Sequence, residues 1–317
     1  MLLYSAKRIV YTLPIMLGVA LVCFALVHIS PGDPLVSVLP PDASVELQNR
    51  LMVLYGFDRP YHEQFLIWLT RALEGDLGTS IATGRPVAEE VFRAVGNTLM
   101  LAAVATVIGF VLGSLFGFVA GYFQGTWIDK LASMIAVAGV SVPHYWLGMV
   151  LVIIFSVQLG WLPATGAGPL GSSSWAWDWA HIRHLILPAV TMSVIPMGIV
   201  ARTVRALVAD ILAQEFVTGL RAKGLLDRGV LAHIVKNAAP TALAVMGLQL
   251  GYLLGGSILI ETVFSWPGTG FLLGQAIFQR DLPLLQGTIL VLALFFVVLN
   301  LVVDVAQTAL DPRLKRS

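Results

Sequence analysis

The residues of this chain that could recognise a partner concentrate in one segment, Glu215–Pro240, with the sequence EFVTGLRAKGLLDRGVLAHIVKNAAP. It is the only long polar and basic stretch in the second half of an otherwise apolar chain. Apolar residues recur at helical spacing around Gly224 and Gly229, which predicts two short helices with a turn between them. Such a pair presents one apolar face and several cations. It therefore fits either a helix lying on anionic lipid or a docking site for a cytoplasmic partner.

Motifs that would indicate catalysis are absent from the sequence. There is no GxxxxGK[ST] phosphate-binding loop, no HExxH zinc motif and no GxSxG nucleophile elbow. His181 and His184 could both touch a metal, but the tryptophans beside them favour an interfacial aromatic belt. We therefore predict no catalytic residue, no metal site and no cofactor in this chain. The absence of a basic patch interleaved with aromatic residues predicts no nucleic-acid partner.

The composition is that of an integral membrane protein. The 317 residues are 57% hydrophobic and 12% charged, with a mean hydropathy of +0.85, whereas a soluble domain carries about twice that share of charge. A membrane-spanning helix needs about 20 mostly apolar residues. We predict an all-α protein with six transmembrane helices, whose centres lack Asp, Glu, Lys and Arg: Val10–Ile29, Leu99–Phe123, Leu131–Leu159, Leu185–Leu207, Thr241–Val263 and Leu284–Val305.

The distribution of Lys and Arg predicts the orientation of these spans. With six spans, both termini, the loop near Lys130 and the loop Arg202–Pro240 share one side, and the dense basic residues lie there. Because cytoplasmic loops are enriched in Lys and Arg, this side is predicted to be cytoplasmic.

The long outer loop Ser30–Gly96 is predicted to form a small cap of short helices. Helical spacing of apolar residues is found over Val45–Leu54 and His62–Leu73. Trp68 and Leu69 are the expected buried anchors of this cap.

Prolines and glycines inside the spans predict the shape of the helices. Pro143 and Pro196 lie near the middles of the third and fourth spans, where each should kink its helix, either to accommodate packing or to line a path. Small residues repeat every four positions in the second span. They predict a face for close helix packing, within the subunit or against a partner subunit: Gly109, Gly113, Gly117 and Gly121.

Polar or kinking residues on spans that would line a route are the candidates for a translocation pathway: Ser141, Pro143, Trp146, Gln249 and Ser257. Gln249 could equally serve an interhelical hydrogen bond. The span centres lack the ionisable groups typical of an ion-coupled carrier. Glu261 and Asp304, both at span ends, are the only candidates for a stand-alone carrier or channel, which stays open as an alternative. A membrane enzyme would need a nucleophile and a base, and none is indicated.

Ten segments, in order along almost the whole chain, resemble the membrane permease subunit of bacterial ATP-driven (ABC) importers of the dipeptide, oligopeptide and nickel class. They are FALVHISPGDP (Phe24–Pro34), LYGFDRP (Leu54–Pro60), GDLGTS (Gly75–Ser80), NTL (Asn97–Leu99), SVPHYWLG (Ser141–Gly148), LGWLPATG (Leu159–Gly166), HLILPAVT (His184–Thr191), GGSILIETVFSWPGTG (Gly255–Gly270), RDLPLLQG (Arg280–Gly287) and NLVVDVAQTALDPR (Asn300–Arg313).

The resemblance implies a role for the central segment. In this family the loop docks into a cleft of the ATPase subunit, and RAKGL (Arg221–Leu225) matches its motif. The implied coupling residues are Glu215, Thr218, Arg221, Lys223, Gly224 and Leu225. The sequence departs from the family at Thr218-Gly219-Leu220. Because Gly is a weaker helix former than Ala by ~1 kcal/mol, a looser first coupling turn is expected.

The resemblance also implies the surroundings of the chain. Residues 1–317 would form one transmembrane domain, with a first span at 1–29, a periplasmic cap at 30–96 and a five-span core at 97–310 that contains the coupling loop 208–240. The expected partners are the lipid bilayer of the bacterial inner membrane, a second homologous permease subunit, two cytoplasmic ATPase subunits that hydrolyse ATP, and an extracytoplasmic substrate-binding protein. Peptides are the expected substrates, while nickel complexes, glutathione-like peptides and oligosaccharides stay open.

Overall fold

The computed structural model describes residues 2–29, 44–55 and 58–310, and the regular structure in these ranges is helical apart from one isolated bridge between Thr79 and Pro86. Parts of the predicted cap (residues 30–43 and 56–57) and the chain end beyond Leu310 lie outside the described residues. The helices are α1 Leu2–Ile29, α2 Val45–Tyr55, α3 Tyr61–Leu73, α4 Val87–Tyr122, α5 Trp127–Ser141, α6 His144–Leu151, α7 Trp179–Leu212, α8 Glu215–Ala222, α9 Asp227–Val263, α10 Thr269–Gln279 and α11 Leu282–Leu310.

Four of the described helices are long and apolar enough to cross a membrane, namely α4, α7, α9 and α11. A fifth span is obtained if α5 and the helix that follows it are counted together, and α1 contains a shorter apolar stretch, Val10–Ala25. The prediction of an all-α membrane protein is therefore confirmed, with four or five candidate spans by length and composition.

The third predicted span is broken, where a kink was expected. α5 ends at Ser141, α6 begins at His144, and the two parts are bent by 102°. Pro143 has no N–H to donate, and it forces Val142 before it into an extended conformation (φ −82°, ψ 129°). The helix consequently stops instead of bending. α6 then continues as a π-helical segment, Val152–Gln158. Pro196, in contrast, lies inside the unbroken helix α7.

The chain divides into two compact units. The first contains the residues up to Thr98 together with Pro267–Val302. In it, α2 and α3 confirm the helices predicted for the cap to within one residue at each end. Trp68 and Leu69 are only partly buried, and they pack against a buried cluster formed by Ala20, Cys23 and Leu290.

Polar contacts join distant segments of this first unit. The buried carboxylate of Asp281 accepts hydrogen bonds from the Ser80 hydroxyl (2.5 Å) and the Ala82 amide (3.1 Å). The Thr98 hydroxyl accepts a hydrogen bond from the Thr269 amide (2.9 Å). These contacts pair GDLGTS with RDLPLLQG, and NTL with the end of GGSILIETVFSWPGTG, so segments that are far apart in sequence meet in the structure.

The second unit, centred on Leu99–Trp266, is built around α7. The glycine face of α4 lies directly on the α7 backbone. A Cβ added at Gly113 would lie 2.7 Å from the Met197 carbonyl oxygen, and one at Gly121 would lie 2.7 Å from the Arg205 carbonyl oxygen. Gly109 and Gly117 make the same approach to Ser193 and Ala201. The predicted close packing is confirmed, and the partner is a helix of the same chain.

The α4–α7 contact generates a stability prediction. Gly117→Ala is expected to lower the free energy of unfolding by about 1–3 kcal/mol, because the added methyl group overlaps backbone atoms of Ala201 that cannot turn away. Gly96→Ala in the same helix is the control. Nothing lies within 4 Å of its added Cβ, so up to ~1 kcal/mol of stabilisation is expected from the better helix former. Thermal unfolding of the purified variants in detergent measures both changes. Equal melting temperatures would contradict the proposed close contact.

Candidate functional site

The candidate site is the short helix α8 and the turn that follows it. α8 contains eight residues, with Glu215 in its first turn and Arg221 in its last turn. These charges oppose the partial charges of the helix ends and favour the helix. Gly219 lies inside α8 without interrupting it. The turn that was expected to be loose is therefore helical.

Gly224 is required by the backbone at the end of α8. Its φ is +79°, which is a left-handed conformation. The Gly224 amide donates to the Arg221 carbonyl (2.9 Å), and the Leu225 amide donates to the Leu220 carbonyl (3.2 Å). This pair of bonds is the Schellman motif that terminates a helix. Nothing lies within 4 Å of an added Cβ in the structure, so Gly224 serves the turn and does not relieve crowding inside the chain.

The second short helix that was predicted after this turn is not separate. α9 begins at Asp227 and continues without interruption to Val263, past Gly229 and Pro240. The prediction of two short helices was therefore wrong in its second half. The physical reason is a buried stripe in the first turns of α9, formed by Val230, Ile234 and Ala238. Burial of this stripe outweighs the ~1 kcal/mol preference of Gly for non-helical backbone.

One apolar residue of α8, Val217, is buried within the chain. Val217 is 1% exposed and belongs to one buried cluster with Val204 and Val208 of α7 and Ile234 of α9. A helix that merely settles on lipid would present this side chain to the bilayer. Val217 is therefore not available to lipid, and the docking and lipid-surface interpretations both depend on the residues of α8 that stay exposed.

The six residues predicted for coupling are all exposed and lie together on α8 and its C-terminal turn: Glu215, Thr218, Arg221, Lys223, Gly224 and Leu225. Within the described part of the chain, no ion pair engages the charged residues of this set. The arrangement presents two cations, Arg221 and Lys223, beside an accessible apolar side chain, Leu225.

Three of the predicted pathway residues lie at the break between α5 and α6. Ser141 and Pro143 are exposed there, and Trp146 is 51% exposed in the first turn of α6. The Ser141 hydroxyl donates to the Val137 carbonyl (2.8 Å), so its hydrogen bond is made within α5. The break therefore presents a bent backbone with an aromatic side chain beside it.

The other two predicted pathway residues lie on α9, which also packs against α6. Ser257 is buried. Gln249 is partly buried, and its side-chain oxygen makes no hydrogen bond within the described residues. The pathway role and the interhelical hydrogen bond of Gln249 both stay predictions.

The His181 and His184 pair has structural hydrogen bonds. The Nδ1 atom of His181 lies 2.7 Å from Asp178, and Nδ1 of His184 lies 2.8 Å from the Thr165 carbonyl oxygen. The hydrogen bond from His181 holds the pKa of the Asp178 carboxyl below its ordinary value. Asp178 also caps α7 by accepting the His181 amide (2.9 Å). Among the described residues, no group of three or more His, Cys, Asp and Glu side chains could hold a metal ion.

Sequence reasoning missed one ion pair near this site. The Asp129 side chain on α5 is 5% exposed, and it accepts two bonds from Arg205 of α7, from Nε at 2.5 Å and from Nη2 at 2.8 Å. The distribution of basic residues includes Arg205 only as one of the cations on the predicted cytoplasmic side, and no sequence motif points to Asp129. The available signal was an acidic residue at the start of an apolar helix, followed much later by an arginine within another apolar stretch.

Residues 113–316 match the family model of the binding-protein-dependent transport system inner membrane component. The chain belongs to this family. The dipeptide transport system permease protein DppB of Alkalihalophilus pseudofirmus is 37% identical over 99% of this chain and 100% of its own length. The glutathione transport system permease protein GsiC of Escherichia coli is 38% identical over 99% of both chains.

A solved structure supports the same architecture. The inward-facing MetNI methionine ABC transporter has a chain that aligns with 70% of this one and 96% of its own length, at a TM-score of 0.55 and 18% identity. At this identity the likeness shows the fold alone. Together with the family match, it identifies this chain as a multi-pass permease subunit of the ABC importer class. The alternative of a stand-alone carrier or channel is not favoured.

The geometry of α8 and of the turn that follows it predicts opposite effects of alanine at Gly219 and at Gly224. Gly224→Ala places a Cβ in a left-handed conformation, at a cost of about 1–2 kcal/mol, so the α8 amides should exchange hydrogen faster. Gly219→Ala meets nothing within 4 Å and should stabilise α8 by ~1 kcal/mol, which slows exchange roughly fivefold. Hydrogen–deuterium exchange of the purified variants, read on peptides that cover α8, distinguishes the two. A slower rate in Gly224→Ala would refute the assignment of the turn.

Proposed function

We propose that this permease subunit forms half of a transmembrane pathway for peptides or related small solutes, and that α8 is the helix through which cytoplasmic ATPase subunits act on it. The observation that carries the proposal is the division of α8 into two faces. Val217 is locked into the cluster of α7 and α9, while Arg221 and Lys223 are exposed. A helix held in this way can receive a force on one side and transmit it on the other.

The proposed topology has six spans and cytoplasmic termini. Four spans are α4, α7, α9 and α11, the fifth is the broken pair of α5 and α6, and the sixth is α1. In this arrangement α8 and the α4–α5 turn face the cytoplasm, and α2 and α3 belong to a periplasmic cap. The density of Lys and Arg on the proposed cytoplasmic side supports this orientation.

The proposed assembly contains partners that this chain needs for transport. Because the sequence has no phosphate-binding loop, ATP hydrolysis is assigned to two separate ATPase subunits. A second homologous permease subunit would complete the pathway, and an extracytoplasmic binding protein would deliver the solute. Relatives named for dipeptide and glutathione transport make a small peptide the preferred substrate.

The proposed mechanism is a rigid-body switch between two states. ATP-driven approach of the ATPase subunits would displace α8, and the shared apolar cluster would carry α7 and α9 with it. Such a switch requires that ATP bind the two states with different affinity. The proposed lining of the route has two parts. One is the α5–α6 break with Ser141, Pro143 and Trp146, and the other is formed by Gln249 and Ser257 of α9.

The stand-alone carrier would need an ion-coupling carboxylate. Glu261 is fully buried near the end of α9, and the side chain of Asp304 lies outside the described residues. Neither residue lies at the centre of a span. No observation favours this second function.

Arg221→Glu should weaken the docking of the ATPase subunits while leaving the fold intact, because Arg221 is exposed. We expect about tenfold less ATPase subunit to copurify with the tagged variant from solubilised native membranes, since a reversed charge leaves partner groups at a docking surface unpaired. Mass spectrometry of the copurified proteins measures the loss. Lys236→Glu is the matched control within the same loop, since Lys236 is an exposed cation on α9 that is not one of the six predicted coupling residues, and it should copurify the wild-type amount of ATPase subunit.

The same preparation tests the function as a whole. Wild-type chain should bring with it a second permease and ATPases that contain phosphate-binding loops, and the reconstituted complex should take up peptide only with ATP inside. Recovery of the chain alone, with solute movement in liposomes that lack ATPase subunits, would overturn the proposal in favour of a stand-alone carrier.

A further inference from the structure

We propose that the ion pair between Asp129 and Arg205 is a positioning contact that makes α5 move together with α7, so that displacement of α8 reaches the α5–α6 break. This inference rests on the proposed coupling role of α8 and adds the path by which its motion is passed on. Among the described residues, no hydrogen bond or ion pair joins either residue to α8, and neither is among the residues predicted for coupling or for the pathway.

Hydrogen bonds from several sides hold the Asp129 carboxylate in this position. Besides the two bonds from Arg205, it accepts a bond from the Gly125 amide (3.0 Å) and one from the Ser133 hydroxyl (3.1 Å). Four donors thus satisfy its two oxygens. The Gly125 bond fixes the turn between α4 and α5, and the Ser133 bond fixes the next turn of α5. The carboxylate therefore cannot follow Arg205 without moving the start of α5.

Arg205 lies where three helices meet. Its side chain reaches Asp129 on α5, and its carbonyl oxygen lies against the α4 backbone at Gly121. Beside it, Ala201 and Ser133 help to line a small cavity between these helices. The planar guanidinium binds the carboxylate through two nitrogens, and this geometry resists rotation as well as separation.

α8 is connected to the same turn of α7. Val204 precedes Arg205 directly, Val208 lies one turn further on, and both share a buried cluster with Val217 of α8. A force on α8 therefore arrives at the part of α7 that carries Arg205. Packing at native density transmits such a displacement, because the interior has little room to absorb it.

The ion pair differs in kind from the other contacts between α5 and α7. Further along the helices, Gly139 faces Val194, and Gly198 faces Ala136. These apolar contacts hold the helices close but permit the small sliding typical of shear motion. Within the described residues, the bonds from Arg205 to Asp129 are the only hydrogen bonds between α5 and α7.

α5 leads from this contact to the proposed pathway. Asp129 lies in its first turn and Ser141 ends it, a distance of about 18 Å along the helix axis. Because a helix of this length moves as a rod, a shift at Asp129 reaches the bend at Pro143. Without the ion pair, α7 could move while α5 stays behind.

The test compares transport with ATP hydrolysis in the complete complex reconstituted into liposomes. Asp129→Asn keeps the shape of the side chain but removes the charge that Arg205 binds, and Arg205→Gln removes the guanidinium. We expect about tenfold less peptide transported per ATP hydrolysed in each variant, with ATP hydrolysis retained. Arg205→Lys keeps the charge and loses the two-nitrogen geometry. Its ratio of peptide transported to ATP hydrolysed should lie between that of these variants and that of wild type.

Arg202→Gln is the matched control. Arg202 lies on the same helix beside the same cavity, and it forms no ion pair with a described residue. In the Arg202→Gln complex, the ratio of peptide transported to ATP hydrolysed should equal that of wild type. If Asp129→Asn and Arg205→Gln keep the wild-type ratio, or if transport and hydrolysis fall in parallel with the melting temperature, the pair is a stability contact only and the inference is overturned.

A second measurement tests the link between the helices directly in the full chain. Spin labels at Met134→Cys on α5 and Ala206→Cys on α7, both exposed positions, report the interhelical distance in a Cys23→Ala background. With Asp129 and Arg205 intact, we expect one narrow distribution of distances between the two labels, and ATP should not change it in the complex. With Asp129→Asn, we expect a broad distribution. A wild-type distance that changes with ATP would overturn the inference. Failure of the wild-type complex to transport with ATP would instead overturn the proposed function, while the distance in the isolated chain would still test the link.

Discussion

The close approach of the α4 and α7 backbones is the constraint on which the second unit depends. In a membrane, apolar side chains gain little by leaving lipid for protein, so helices associate where small residues allow dense backbone contact. α4 supplies that surface with a glycine at every fourth position, and α7 lies against it from Ser193 to Val208. With α7 fixed in this way, its other faces become the supports for α5 and α9. Through Val217, the same helix determines the position of α8.

Strong polar contacts are found at the ends of helices, and apolar packing is found between them. Asp178 caps the start of α7, Arg205 binds Asp129 near its end, and Asp281 joins two loops at the start of α11. This distribution follows from the high free energy of an unsatisfied polar group away from water. Directional contacts at helix ends define angle and register, whereas the apolar contacts between them set only the distance.

Local patterns in the sequence correctly predicted the features that depend on residues close together in the chain. Apolar runs indicated the long helices, helical spacing indicated α2 and α3, and the repeat that includes Gly113 and Gly117 indicated the packing face. Two predictions failed because tertiary packing or proline chemistry decided the outcome. The stripe of Val230 and Ile234 kept α9 continuous through a glycine, and Pro143 stopped a helix that was expected to bend. The Asp129–Arg205 pair was missed because its partners are 76 residues apart, and each alone resembles an ordinary charge near the end of a span.

The way in which α8 is built bears on how it can transmit force. A segment that folds only when its partner binds must be ordered at that moment, which lowers affinity and lets the segment absorb a displacement by rearranging. α8 avoids both effects, because its first turn begins directly after α7, its end is closed by the Schellman turn at Gly224, and Val217 is buried. A partner therefore meets a surface that is already formed. Under the proposed coupling role, displacement of that surface would displace α7 through the shared apolar cluster, and α5 through the bonds from Arg205 to Asp129.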